Sequence, residues 1–257
     1  EQIRRFLERA ARDPAVKAIV LDVESPGGTV SASDEIHHRI EQFKSTHSVP
    51  VVVAMGGLAT SGGYYVSCAA DQIVAQPTTL TANIGVLMMR VNVSEMTQKW
   101  GIVDATITAP RKGFKHAGSP LQPITPEDTE YLQGLADQAY AQFKQVVVSG
   151  RGPKLARSID QIADGRVLSS ADARRDGLVD QIGFLDDACQ WAAGKAGVSR
   201  PMIVKYQRQP SVLEALAGRE DSIATADLNI SGVSVRVDSS LLESLATPRL
   251  MYLWRGQ

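Results

Sequence analysis

The sequence predicts an α/β fold with a parallel sheet core flanked by helices, and three observations predict it. Short apolar runs of strand length alternate with segments of helical periodicity, the signature of βα units. Val49 to Ala70 carries no charged residue, yet Pro50, four glycines and scattered hydroxyl residues break it into strand, turn and helix. Two of the strand-like runs stop at glycine turns, Pro26-Gly27-Gly28 and Ser61-Gly62-Gly63. The charge-free stretch is long enough to span a bilayer, but its interruptions favour a core segment.

Glu1 to Arg12 has Ile3, Phe6, Leu7 and Ala10 on one helical face. Lys17–Val23 reads as a buried strand, followed by a helix from about Ser31 to Lys44 with Ile36, Ile40 and Phe43 inward. Val51–Met55 is the next strand and leads to Ser61, and a short helix is expected over Tyr64–Ala70. Ile73–Ala75, Ile84–Met89 and Asp104–Thr108 read as further strands, and Val93–Trp100 as a helix closed by Gly101. Ala109–Pro123 is a loop rich in proline, glycine and basic residues.

A long helix begins with Thr125 as cap and Pro126 at its first position, with Glu127 and Asp128 in the first turn. Leu132, Leu135, Ala136, Ala139, Tyr140, Phe143 and Val147 form its apolar stripe, and Gly150 is expected to end it. Ser170–Arg175, closed by Gly177, and Asp186–Ala196 read as helices. Further on, Arg200–Gln209 suggests a strand, Val212–Leu216 and Leu241–Ala246 suggest helices, Ala226–Val237 alternates weakly, and Pro248–Trp254 is apolar and aromatic. The expected division is a main domain over 1–198 and a small C-terminal appendage or oligomerisation element over 199–257.

The 257 residues carry a net charge of −1, so no basic footprint points to nucleic acid. Two cysteines do not make a disulfide framework, and Cys68 falls in an apolar helix as a small buried hydrophobe. No Cys/His spacing suggests a zinc site.

Ala59-Thr60-Ser61-Gly62-Gly63 has the small-x-Ser-x-Gly frame of a nucleophile elbow. A serine on such a turn can present its hydroxyl to solvent while the following amides face a developing negative charge. Pro26-Gly27-Gly28 can supply a second amide. Each motif alone also fits a plain βα turn that needs glycine; their pairing at successive strand ends points to catalysis.

Asp22 to Gly28, Ala59 to Tyr65, Ala69 to Ala75 and Thr79 to Val86 occur in the order found in bacterial signal peptide peptidase A (SppA, protease IV), a resemblance continuing to about residue 190. It implies a Clp-protease/crotonase-like βα superhelix and a serine protease with a Ser/Lys dyad, without metal or nucleotide. Ser61 would be the nucleophile, with Gly28 and Gly62 forming the oxyanion hole. Lys115, in Lys115-His116-Ala117-Gly118-Ser119-Pro120, would be the base, with Lys112 the alternative. His37, His38 and His47 read as solvated, and His116 is the rival base. The family's lysine-orienting serine is here Asn83, whose carbonyl can accept a hydrogen bond from the amine.

The resemblance further implies a homo-oligomer whose subunits share active sites. The substrates would be remnant signal peptides or other extended hydrophobic peptides. It also implies an N-terminal membrane anchor preceding Glu1 and an extracytoplasmic catalytic domain at a bacterial cell membrane. The competing readings are a phage-type capsid or scaffold maturation protease, a non-catalytic membrane-associated scaffold, and a crotonase-type acyl-CoA enzyme.

Overall fold

A computed structural model describes residues 2–110, 113–206, 225–230, 233–238 and 250–253. The chain divides into two compact units, residues 1–87 with 138–207 and 251–257, and residues 88–137 with 208–250.

The first unit opens with α1 (Gln2–Arg12), β1 (Ile19–Ser25), β2 (Gly27–Thr29), α2 (Val30–His47), β3 (Val51–Thr60), α3 (Gly62–Ser67), β4 (Gln72–Ala75) and β5 (Leu80–Ala82). After β6 (Leu87–Met88) come α4 (Ser94–Lys99) and α5 (Pro126–Arg151). Then follow α6 (Ile159–Ile162), β7 (Val167–Ser169), α7 (Ser170–Arg175), β8 (Gln181–Ile182) and α8 (Leu185–Lys195). Three strands complete the described chain: β9 (Thr225–Ile230), β10 (Val233–Asp238) and β11 (Leu250–Leu253).

Six strands form the main sheet in the order β7-β5-β3-β4-β8, with β1 also on β3. The pairings of β3 with β1, β4 and β5, and of β4 with β8, are parallel; β5 with β7 is antiparallel. This curled, mostly parallel sheet with flanking helices is the expected α/β class. Val51 to Gly56 are buried without alternation, as a strand covered on both faces requires. One face meets Tyr64, Tyr65, Phe143, Val147 and Leu178; Ala188 and Ala192 of α8 pack with Val52, Ala54 and Val74. The α1 stripe closes over Ile40, Phe43, Val51 and Ala69.

The long helix keeps the expected cap, with Thr125 Oγ1 accepting the Asp128 N–H at 3.0 Å, and its stripe is inward. It does not end at Gly150. A Cβ there would stand 2.2 Å from the Cys68 carbonyl oxygen, so this glycine serves a close helix-to-backbone approach. Cys68 is buried as expected, and burial pushes its thiol up to about 12.

Several expected strands are absent. Asp104–Thr108 is irregular: Asp104 Oδ1 accepts both the Thr106 amide, at 2.9 Å, and its hydroxyl, a local bond that competes with a ladder. Ile84–Met89 reduces to Leu87–Met88, because Ala82 (φ 62°) and Asn83 (φ 54°) turn left-handed and end β5 first. Residues 201–206 are not a strand; Tyr206 packs on α1, its ring 6.0 Å from Phe6 with the Arg9 guanidinium above it. The weak alternation over 226–237 is the antiparallel β9–β10 hairpin, and the apolar run near 250 is β11. The helices expected over 212–216 and 241–246 lie outside the described residues. Among the described residues, no helix is long and apolar enough to cross a membrane.

Candidate active site

β3 runs through the middle of the sheet to Thr60, and α3 starts at Gly62, so Ser61 alone makes the strand-to-helix turn. Its backbone is at φ 53°, ψ −114°, a region that L-residues avoid and that functional sites retain. Two bonds hold it there: Ser61 N–H donates to Ala82 O at 2.8 Å, and Ser61 O accepts from Tyr65 N–H at 2.8 Å. Around it, Thr81 Oγ1 donates to Ala59 O at 2.7 Å, tying β5 to β3.

The second glycine turn lies directly against this one. Register brings Ser25 beside Ala59, and Thr60 Oγ1 donates to Pro26 O at 3.2 Å. Gly27 takes φ 115°, with its N–H on Ser25 Oγ at 3.1 Å. A Cβ built on Gly62 would stand 2.5 Å from Ser33 Oγ, 3.1 Å from Gly28 N and 3.2 Å from Gly27 Cα. The backbones of Gly28 and Gly62 are therefore neighbours, at a spacing only glycine permits. On Gly28 the same construction meets nothing within 4 Å, so its side faces open space.

The Ser61 side chain is buried, at 1 % exposure, and does not reach solvent as the turn pattern suggested. Thr60, Gly62, Gly63 and Tyr64 are all buried around it. Its Oγ is the one buried side-chain polar atom among the described residues that lacks a hydrogen-bond partner. An unpaired buried hydroxyl costs about 1–3 kcal/mol, and such exceptions in folded proteins call for an explanation.

Asn83 follows the carbonyl that fixes Ser61. Its N–H donates to Arg166 O at 3.0 Å and its Nδ2 donates to Gly165 O at 2.5 Å. The carboxamide nitrogen is thus engaged, and Oδ1 is left as the acceptor. Ser33, which sequence reading passed over, is buried; its Oγ donates to Thr29 O at 3.1 Å. Only its helical position, four residues after Thr29, hinted at this role. Gly165 and Arg166 were legible as part of a motif but not as the support of Asn83.

Lys115 belongs to the second unit, in the turns over residues 113–118, and is exposed. Lys112 lies outside the described residues. His116, the rival base, is half-buried in the same loop. Of the histidines expected to be solvated, His37 is half-buried, 5.4 Å from the Tyr65 ring, and burial lowers its pKa. It faces Tyr65 because α2 packs on α3, a contact that helical periodicity alone did not show.

The sequence profile of peptidase family S49 matches residues 43–199. A protease-named protein of Methanocaldococcus jannaschii is 38% identical over 201 residues, covering 78% of this chain and 63% of its own length. Protease 4 of Salmonella typhi is 38% identical over 206 residues, 80% of this chain but 32% of that protein. An Enterococcus faecium protein named for signal peptide peptidase SppA is 33% identical over 253 residues, 97% of this chain and 72% of the relative. The chain thus spans less than two thirds of the first two of these relatives. The matched span contains the Ser61 turn, its Asn83 support and the helices behind them, and the chain belongs to peptidase family S49.

Proposed function

We propose that the chain is the catalytic part of a serine endopeptidase with a Ser/Lys dyad. The observation that carries this reading is the buried, unpartnered Ser61 hydroxyl on a strained turn, beside the backbones of Gly28 and Gly62. A hydroxyl kept free of internal partners is available to a base and to a substrate carbonyl. Neutral Lys115 of a neighbouring subunit takes the Ser61 proton, and Ser61 attacks a peptide carbonyl to form an acyl-enzyme. The Gly28 and Gly62 amides hold the oxyanion. The lysine then protonates the leaving amine and activates water for hydrolysis. Asn83 Oδ1 accepts from the amine and orients it.

A lysine amine with a reference pKa of about 10.4 must fall by about three units, or roughly 4 kcal/mol, to act near neutral pH. Lys115 is exposed in the single chain, so the desolvation comes from subunit association. The second unit carries apolar side chains in water that support such association: Ile107 is 97 % exposed, Val103 83 % and Trp100 69 %. The assembly is a homo-oligomer with shared sites, and its substrates are remnant signal peptides or other extended hydrophobic peptides at the extracytoplasmic face of a bacterial membrane. The name of the E. faecium relative supports that substrate class.

Complementation tests the shared site. Ser61→Ala and Lys115→Ala are each expected to be inactive on unfolded casein, and mixed assemblies of the two are expected to regain activity. An active Lys115→Ala beside a dead Lys112→Ala would move the base to Lys112.

A second variant tests the oxyanion pair. In Gly62→Ala the new methyl would press on Ser33 Oγ and the Gly28 amide. The expected result is a loss of about 10²–10³ in kcat, the scale of removing an oxyanion donor, with the protein still folded by circular dichroism.

A further inference from the structure

β2 is three residues long, and two of them, Gly27 and Gly28, have no side chain. Such an edge offers backbone N–H and C=O groups to any extended chain that can lie along it. In this structure the occupant is the chain itself. β11 pairs with β2 antiparallel, with Met251 opposite Thr29, Tyr252 opposite Gly28 and Leu253 opposite Gly27. In the small sheet the order is β2-β11-β6, so β11 sits directly on the glycine edge. Both paired segments belong to the same compact unit.

Gly28 is also the residue whose backbone lies against Gly62, next to Ser61. A peptide whose carbonyl is delivered to that amide must run along the same three residues. Two strands cannot pair with one edge at once. The occupying sequence, Leu250-Met251-Tyr252-Leu253, is uncharged and apolar, the character of an extended hydrophobic peptide. The other late strands, β9 and β10, pair with each other instead.

We infer that β11 occupies the strand-accepting edge of the site and competes with peptide substrates for it, an inference that rests on the serine-peptidase reading. The structure then describes a self-occupied state, and substrate enters when β11 lifts from β2. The apparent affinity for substrate is lowered by the fraction of molecules in which the edge is filled.

The test uses the full chain carrying Met251→Pro and Tyr252→Pro, which removes strand N–H groups on both sides of the register. The expected result is a KM for unfolded casein about tenfold lower, with kcat little changed. Amide exchange at Gly27, Gly28 and Thr29 should be slow in the unaltered chain and fast in the variant. A synthetic acetyl-Arg-Leu-Met-Tyr-Leu-Trp-amide should inhibit the variant competitively and the unaltered chain much less. A normally melting variant with unchanged or raised KM and unchanged exchange overturns the inference. Should the variant melt early, the unaltered chain decides: fast exchange at Gly28 and Thr29 there overturns it. Should neither protein cleave casein or label at Ser61 with a fluorophosphonate, the peptidase reading fails, while exchange and peptide binding still decide whether β11 fills the edge.

Discussion

Ser61→Ala is expected to abolish casein hydrolysis, by at least about 10⁴-fold, the scale seen when a serine nucleophile is removed, and to leave the fold as stable as before or more so. The two halves of this result come from one observation. Ser61 Oγ is buried and makes no hydrogen bond, so its deletion breaks no bond and relieves the cost of a desolvated hydroxyl, about 1–3 kcal/mol. The backbone that positions it is held by Ala82 O and Tyr65 N–H, and alanine keeps both bonds. A thermal melt at or above that of the unaltered chain, together with lost cleavage and lost fluorophosphonate labelling, is the expected pair of readings. A melt lowered by several degrees would mean that the hydroxyl has a structural role. Retained cleavage would move the nucleophile elsewhere.

Arg151→Met is expected to give the largest loss of stability, about 3–5 kcal/mol, the scale for breaking a buried ion pair from one side. Arg151 is fully buried. Its Nη1 and Nη2 donate to Asp180 at 2.8 and 2.9 Å, and its Nε and Nη2 donate to Gly177 O at 3.1 and 2.9 Å. Asp180 in turn accepts the Ile73 N–H at 2.8 Å, linking the end of α5 to the sheet. Methionine fills similar volume but strands the carboxylate and the carbonyl. At about 2–4 °C per kcal/mol for a chain of this size, the melting temperature should fall by roughly 10 °C.

The pH dependence follows from the same carboxylate. Burial opposes its charge, but the hydrogen bonds from Arg151 and Lys154 outweigh that and hold the Asp180 pKa below the usual value. A depressed carboxyl stabilises the fold above its unfolded pKa of about 3.9 and loses that contribution as pH falls through the lower folded value. The gap between the unaltered chain and Arg151→Met should therefore be widest at neutral pH and narrow below about pH 4. Urea titrations at both pH values measure it; an equal gap at both would mean that packing, not charge, makes Arg151 important.

The elements that sequence reading located are those whose signals are local. Thr125-Pro126 with its acidic first turn marks the start of α5, and the Phe143 and Val147 spacing gives its inward face. Val51–Met55 and the glycines after Ser61 show the strand and its turn. What was not legible depends on partners distant in sequence. Asp104 captures the Thr106 amide, and an apolar run that looked like a strand has no ladder to join. Gly150 reads as a helix end until the Cys68 carbonyl is seen beside it. In the site, the two glycine turns were visible as motifs, but their contact is created by the Ser25–Ala59 register. The burial of Ser61 and the support of Asn83 by Gly165 likewise arise only once the sheet is assembled.

β3 pairs with three neighbours, β1, β4 and β5, all in parallel. The residue at its tip is consequently braced from several sides by the hub of the sheet, and the surrounding periphery is mechanically separate from it. Segments such as residues 113–118 and the β9–β10 hairpin can be lengthened, shortened or exchanged without disturbing that anchorage. An architecture of this kind keeps one reactive position constant while its approaches are remodelled for new tasks.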